Sequence, residues 1–412
     1  MTKKIVVTGI GASSPIGGTA PESWRALLAG ESGVRTLEND WVEEYGLAVG
    51  FAGTAKVDPA EVLERPVAKR LDPSSRFALV AALEAWADAG SPEVAPERLG
   101  VDWATGIGGL WTLLDAWDTL REKGPRRVMP LTVPMLMPNA PAAAVSMHLE
   151  ARAFARTVAS ACASSTESIA NAFEHLQLGL ADVIIAGGAE AAIHPITLAS
   201  FNSAQALSKR NDSPETASRP YNIDRDGFVM GEGAGALVLE TEEHALARGA
   251  KIYAEIAGGG VTADSYHITA NDPEGKGASR AVELALAQAG ATADEVTHIN
   301  AHATSTPVGD IAEYTALRNV FGERVTEIPV SATKAATGHL LGGTGALEAI
   351  FTVLAVQQRI APPTINLVSQ DPEIPLTVSS EQQSLGDGPQ LAISNSFGFG
   401  GHNAVLAVRS YE

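Results

Sequence analysis

Short runs rich in valine and isoleucine alternate along the chain with longer stretches whose apolar residues fall three or four apart. The runs lie at Lys4 to Thr8, Asp182 to Ala186, Ala236 to Leu239, Thr297 to Ala301 and Ala404 to Val408. Their length and β-branched content predict buried strands. Ile169, Phe173 and Leu176 share one face of a helix beginning near Ala163, and Leu347, Ile350, Phe351 and Leu354 do so for a helix beginning near Gly343. Strands that alternate with helices predict an α/β fold in which sheets are covered by helices.

The pattern also repeats. Gly231 to Gly235 and Gly400 to Ala404 are both small-residue turns that enter an apolar strand, and each follows a strand, a small-residue turn and a helix, at Thr157 to Leu178 and at Pro329 to Val356. This predicts two halves of similar plan, residues 1–250 and 251–412. The chain is 412 residues long, more than one hydrophobic core usually serves, which fits a duplicated domain.

Composition narrows the function. The net charge of -19 repels phosphate, so nucleic acid and anionic membrane are poor partners, and an acidic partner needs a local basic patch. No window holds the roughly eighteen uninterrupted apolar residues of a spanning helix. The apolar start is broken by Gly9 and Gly11 and is too short for a signal peptide. Cys162 is the one cysteine, which excludes an intrachain disulfide and a multi-cysteine metal site and suits a reducing compartment. The expectation is a soluble cytoplasmic enzyme.

Four segments carry candidate chemistry. Gly9-Ile-Gly11 starts like a dinucleotide fingerprint but lacks its third glycine, and reads as a strand-to-loop turn. Cys162 stands where an apolar strand runs through small residues into a helix, so the helix dipole is expected to favour its thiolate; a lone cysteine among alanines is also a common core residue. Of nine histidines, His148, His175, His194, His244, His267 and His298 suit surface, packing or, for His267, pocket lining. His302 follows a strand in Asn300-Ala-His302-Ala-Thr304-Ser-Thr306, and His339 lies in Lys334-Ala-Ala-Thr-Gly-His339, a loop that opens a helix. A buried Lys334 needs a partner, and Glu348 on that helix is the obvious one. Phe397-Gly-Phe399-Gly-Gly sets two aromatics among glycines, where close backbone approach to a ligand is possible and N–H groups could hold an oxyanion.

Together these segments resemble the elongating β-ketoacyl-acyl carrier protein synthases of the thiolase superfamily, over Lys4 to Val408. The resemblance rests on Ala-Cys162-Ala-Ser, Arg219-Pro to Gly235 with Asp224-Arg-Asp-Gly-Phe, the His302 segment, Lys334 to His339, and Asn395-Ser-Phe-Gly-Phe-Gly-Gly. It implies a five-layered αβαβα fold, a homodimer, and decarboxylative condensation of acyl and malonyl thioesters. It further implies Cys162 as acyl acceptor, His302 and His339 as donors to a developing enolate, and Lys334 with Glu348 as the pair that supports His339. The N–H groups of Cys162 and Phe399 become the oxyanion hole, with Phe399 also the gate; Thr304 and Thr306 bind the pantetheine arm, and Ile107 and Phe397 line the substrate channel. No metal or resident cofactor is implied, since phosphopantetheine arrives on the acyl carrier protein.

Two positions depart from the common pattern. Ala303 replaces the glycine that usually follows the first histidine and is expected to crowd the pantetheine channel; His402-Asn403 resembles the actinobacterial branch of the family. Docking of an acidic carrier protein onto this acidic chain is expected at the dibasic pairs Lys69-Arg70, Arg126-Arg127 or Lys209-Arg210. The segment Met129 to Ala144 is expected at the dimer interface. A polyketide ketosynthase shares every catalytic residue and is the competing reading, with a noncatalytic chain-length subunit behind it. A degradative thiolase needs a second cysteine.

Overall fold

The computed structural model describes residues 3–412. Eleven strands form one hydrogen-bonded sheet: β1 (Ile5–Ser13), β2 (Leu99–Ala104), β3 (Phe154–Val158), β4 (Val183–Glu190), β5 (Gly233–Thr241), β6 (Ala254–Ala263), β7 (His298–Asn300), β8 (Pro329–Ser331), β9 (Thr377–Val378), β10 (Leu391–Gly398) and β11 (His402–Ser410). Their spatial order is β9-β8-β7-β10-β11-β6-β1-β5-β4-β2-β3. Each of the five valine- and isoleucine-rich runs lies in one of these strands.

The order is two copies of one plan. In the first, β1 pairs antiparallel with β5, β5 antiparallel with β4, and β4, β2 and β3 run parallel. In the second, β6, β11, β10, β7 and β8 repeat those pairings and polarities in turn. A short antiparallel ladder, Ile5 to Val7 against Ala254 to Ile256, joins the copies.

Helices repeat as well. In chain order they are α1 (Pro73–Asp88), α2 (Leu110–Lys123), α3 (Ala140–Leu149), α4 (Ser164–Gln177), α5 (Lys276–Gln288), α6 (Pro307–Phe321) and α7 (Thr344–Gln358). α4 and α7 lie between the half-sheets, while α1 and α3 cover the outside of one half and α5 packs on the outside of the other with α6 against it. Thirteen consecutive residues of α7, Thr344 to Val356, are buried, so the helix is apolar all round, as a helix sandwiched between sheets must be. The largest core cluster surrounds these central helices and includes Ile169, Phe173, Leu347 and Phe351.

Gly9 and Gly11 are not in a turn: both sit inside β1. A Cβ on either would lie 2.1 Å from a carbonyl oxygen of α1, that of Ala85 or Ala81. Gly258 and Gly260 of β6 meet Ala285 and Ala281 of α5 in the same way. The glycines therefore let a helix settle directly on a strand.

Candidate active site

Cys162 sits on a strained turn between β3 and α4. Ala161 has φ +51°, an uncommon conformation for a residue with a Cβ. The turn is tied by Ser164, whose Oγ accepts from Ser160 N at 2.8 Å and donates to Ala161 O at 2.6 Å. Residues 161–163 then form a single 3-10 turn that delivers Cys162 to the start of α4. The second half repeats this turn at Leu341 to Gly343, where Leu341 has φ +48°.

Cys162, His302, His339, Thr304, Thr306 and Phe399 line one cavity of about 560 Å³, with Ile107 and Phe397 also in its wall. The structure thus brings together Cys162, both histidines, both threonines and Phe399. Thr304 and Thr306 lie side by side, Oγ1 to Oγ1 at 3.1 Å. Ala303 is 1% exposed and packs into the core beside the site without lining the cavity, so it does not crowd the channel. His267 is exposed and accepts N–H bonds from Thr269 and Ala270 in its own loop. Its neighbours Thr269 to Asn271 line the cavity and His267 does not.

The imidazoles of His302 and His339 meet edge to face, with centroids 5.6 Å apart and planes at 85°. Burial, then repulsion from Lys334, holds both pKa values well below the ordinary histidine range. Both rings are therefore neutral near pH 7, each with one donor and one acceptor nitrogen. His339 is fixed through its backbone, which donates to Val229 O and accepts from Gly231 N. Its Nδ1 lies 2.9 Å from Thr344 Oγ1, and its Nε2 has no protein partner.

Lys334 meets Glu348 as expected, with Nζ 2.8 Å from both carboxylate oxygens and Thr333 Oγ1 also donating to the carboxylate. Burial raises the Glu348 pKa against the pull of Lys334. Lys334 makes no hydrogen bond to His339; the side chain that holds that ring is Thr344.

Burial of Cys162 works against the thiolate expectation. The residue is half-buried and lines the cavity, and burial pushes its pKa up to about 11 against the lowering pull of Lys334 and of the Phe399 and Cys162 N–H groups. That desolvation opposes the stabilisation a thiolate would draw from the N-terminus of α4. Those N–H groups lie at the sulfur, where they can also receive an oxyanion. Gly398 makes the approach possible, since a Cβ there would stand 3.0 Å from Cys162 N and 2.9 Å from Ser160 O. Phe399 is 39% exposed at the mouth. Phe201 lies 6.5 Å from it and 5.3 Å from Phe228, which packs edge-on against His339 at 5.5 Å. Aromatic rings thus run from gate to histidine.

Two supporting carboxylates escaped the sequence. Glu313 on α6 is buried and accepts from His302 N at 2.8 Å, Ala303 N at 2.7 Å and Asn395 Nδ2 at 3.0 Å, so it fixes the backbone on which His302 stands. Glu190, at the end of β4, accepts from Gly106 N, Ile107 N and Gly342 N and from Thr105 Oγ1. It ties the Ile107 wall to the entrance of α7. For Glu190 an acid closing an otherwise apolar strand was the available signal; Glu313, in a mixed helix, offered none.

The dibasic pairs differ in environment. Lys69, Arg70, Arg126 and Arg127 are exposed, and Lys69 and Arg127 share a cleft of about 370 Å³. Lys209 is exposed, whereas Arg210 pairs with Asp224 at 3.0 Å and with Asp226 at 3.5 Å.

Residues 2–245 match the family described as Beta-ketoacyl synthase, N-terminal domain, and residues 253–368 match Beta-ketoacyl synthase, C-terminal domain. The 3-oxoacyl-[acyl-carrier-protein] synthase 2 of Synechocystis sp. is 45% identical over 100% of this chain and 99% of its own, and that of Staphylococcus aureus is 46% identical with the same coverage. Among solved structures, a type II PKS acyl-carrier protein in complex with its ketosynthase, and the ishigamide ketosynthase/chain length factor, each superpose with TM-score 0.92 at 31% identity, both chains fully covered. A beta-ketoacyl synthase from Burkholderia phymatum does so with TM-score 0.90 at 35% identity. With both domains matched in order and Cys162, His302 and His339 around one cavity, this chain belongs to the β-ketoacyl synthase family.

Proposed function

We propose that the protein is a 3-oxoacyl-[acyl-carrier-protein] synthase that extends fatty acyl chains by decarboxylative condensation. The observation that carries this reading is the convergence of Cys162, His302 and His339 on one cavity, in a chain 45 to 46% identical to synthases of that name.

In the first half-reaction the Cys162 sulfur attacks an acyl thioester, the bond from acyl carbon to carrier sulfur breaks, and the thiol proton leaves with the carrier as its free thiol. In the second, the bond between the carboxylate carbon and C2 of a malonyl thioester breaks and carbon dioxide departs. The electron pair moves into an enolate whose oxygen accepts N–H bonds from His302 and His339, each worth about 3 kcal/mol when preorganised. C2 attacks the acyl carbon, the oxyanion rests on the N–H groups of Cys162 and Phe399, and the carbon-sulfur bond breaks to release the Cys162 thiolate, which takes up one proton from solvent. Thr304 and Thr306 hold the pantetheine arm, and Ile107 and Phe397 line the channel. Each step uses side chains, backbone amides and the carrier's own thioester, so no resident cofactor is needed.

Acyl carrier protein is the macromolecular partner, received at the basic rim that includes Lys69, Arg70, Arg126 and Arg127. A homodimer is supported by two features. β3 is a sheet edge with Ala155 and Arg156 exposed, an invitation to pair. Beside it in sequence, Met129, Leu131, Val133 and Met137 are all at least 40% exposed, as is Trp117 on α2, a grouping that monomers avoid. Residues 1–250 and 251–412 are the two halves, and the repeated strand order supports that division. The cytoplasm is the proposed site of action.

Release of labelled carbon dioxide from malonyl-acyl carrier protein tests the reading, with acyl-primed enzyme and with Cys162→Ala. Wild type should release carbon dioxide and form β-ketoacyl product, and the variant should decarboxylate without condensing. An enzyme that neither takes up acyl groups nor decarboxylates is instead a noncatalytic subunit. The polyketide reading is favoured only by the two TM-score 0.92 neighbours. It predicts preference for a poly-β-keto primer over a saturated acyl chain.

A further inference from the structure

We infer that Thr344 is a positioning residue that sets which nitrogen of His339 carries the proton, holding the ring as the Nε2–H tautomer. The inference rests on the proposed decarboxylation and deepens it.

Thr344 is the first residue of α7, 2% exposed, and its hydroxyl has one hydrogen-bonding partner, His339 Nδ1 at 2.9 Å. Two proton arrangements satisfy that contact. If Nδ1–H donates, the hydroxyl hydrogen is stranded in a buried site and Nε2 offers the cavity a lone pair. If the hydroxyl donates, only oxygen lone pairs are left without a partner, and Nε2 offers the cavity an N–H. Buried donors without acceptors are rarer than under-used acceptors, so the hydroxyl donates. Nε2 is buried with no protein partner on a ring that lines the cavity, where a substrate oxygen can complete the bond. His302 stands on the same cavity, so the two rings can converge on one oxygen.

The repeat supplies an independent argument. Thr344 occupies in the second half the place of Ser164 in the first, each the first residue after the 3-10 turn that enters a central helix. Ser164 uses its hydroxyl to tie the turn that bears Cys162, and Thr344 uses its own to hold His339. One position, repeated, serves the nucleophile in one half and the imidazole in the other.

The test uses the full-length enzyme with ¹⁵N-labelled histidine, compared with Thr344→Val, which keeps the shape without the hydroxyl, and Thr344→Ser, which restores it; His339→Asn assigns the ring signals. Wild type and Thr344→Ser should show a protonated Nε2 and a bare Nδ1. Thr344→Val should shift toward protonated Nδ1, and its malonyl decarboxylation should fall roughly 10- to 100-fold in kcat with little change in KM. That is less than the 10²- to 10³-fold typical for an oxyanion donor removed outright, because some rings keep the right tautomer. A wild-type ring protonated at Nδ1, or a valine variant with unchanged ring and unchanged rate, overturns the inference. Wild-type enzyme inert toward malonyl thioester, with the ring still responding to Thr344→Val, overturns the proposed reaction and supports the positioning role.

Discussion

Lys334 Nζ stands 2.8 Å from both carboxylate oxygens of Glu348, and both side chains are 1% exposed. Neither charge can turn to water, so each is tolerated only because of the other. Glu348→Ala leaves an ammonium without its counter-charge and should destabilise the fold by roughly 3–5 kcal/mol. The double variant Lys334→Met/Glu348→Leu should recover most of that loss, since a buried pair is often replaceable by apolar side chains. It should also raise the pKa of both histidines, because the repulsion from Lys334 is gone. Denaturant unfolding and histidine NMR titration read the two effects. A single variant as stable as wild type shows that the pair is not buried in solution.

The raised Cys162 pKa predicts slow, strongly pH-dependent alkylation of the free enzyme. With a value of about 11, only about one sulfur in 10⁴ is thiolate at pH 7. Inactivation by iodoacetamide should climb about tenfold per pH unit from 7 to 10 without levelling off. A plateau below pH 8 identifies a preformed thiolate instead.

What was legible in the sequence was whatever composition alone decides. Val-Ile runs marked five strands, and Cys162, His302, His339 and the Lys334–Glu348 pair could be picked out because few residue types do their chemistry. Contacts between distant segments were not legible. Gly9 and Gly11 read as a turn because nothing nearby in sequence shows that α1 presses on them. Thr344 is one hydroxyl among many until the loop folds His339 back onto it, and Glu313 is an ordinary helix glutamate until β7 delivers two backbone amides to it. The burial of Cys162 was missed for a related reason: a helix N-terminus is a local signal, whereas desolvation is set by the whole cavity.

Stability should respond to pH in two opposed ways. His298, His302 and His339 have folded pKa values below the unfolded value, with His298 brought to about 3 by burial. Their penalty is absent above about pH 6.5 and grows as pH falls through that value, because only the unfolded chain takes up the protons. Glu84, Glu232 and Asp310 are raised to about 7, in each case chiefly by burial. Their contribution has the other sign: it is fully present below the unfolded carboxylate pKa of about 4 and is lost as pH rises through 7. Between pH 5 and 6.5 the two slopes oppose each other, and Glu190, Glu313 and Glu348, raised by burial as well, add to the carboxylate side. Below about pH 4.5 the carboxylate gain is complete and the histidine penalty continues. The midpoint of thermal unfolding should therefore hold or rise from pH 6.5 to 5 and fall below 4.5; a steady decline from pH 6.5 contradicts the raised carboxylates.

Carrier docking makes the last prediction. On a chain of net charge -19, an acidic partner is attracted only where positive charge is concentrated and unspent. Arg210 is spent on Asp224 and Asp226, whereas Lys69 and Arg127 open onto one cleft with Arg126 exposed beside it. Reversing Arg126 and Arg127 to glutamate should raise KM for acyl carrier protein substrates roughly 10- to 100-fold at low salt, since each reversal both removes an attraction and adds a repulsion. The effect should shrink toward 1 M salt, where the screening length is about 3 Å. Turnover of a small pantetheine thioester should be unchanged, because that substrate needs the cavity and not the rim. Arg210→Glu is the informative contrast, since it disturbs the Asp224 and Asp226 cluster without touching this cleft. Equal loss with both substrates assigns Arg126 and Arg127 to the fold and removes them from docking; a loss confined to Arg210→Glu moves the docking site to the Lys209 side.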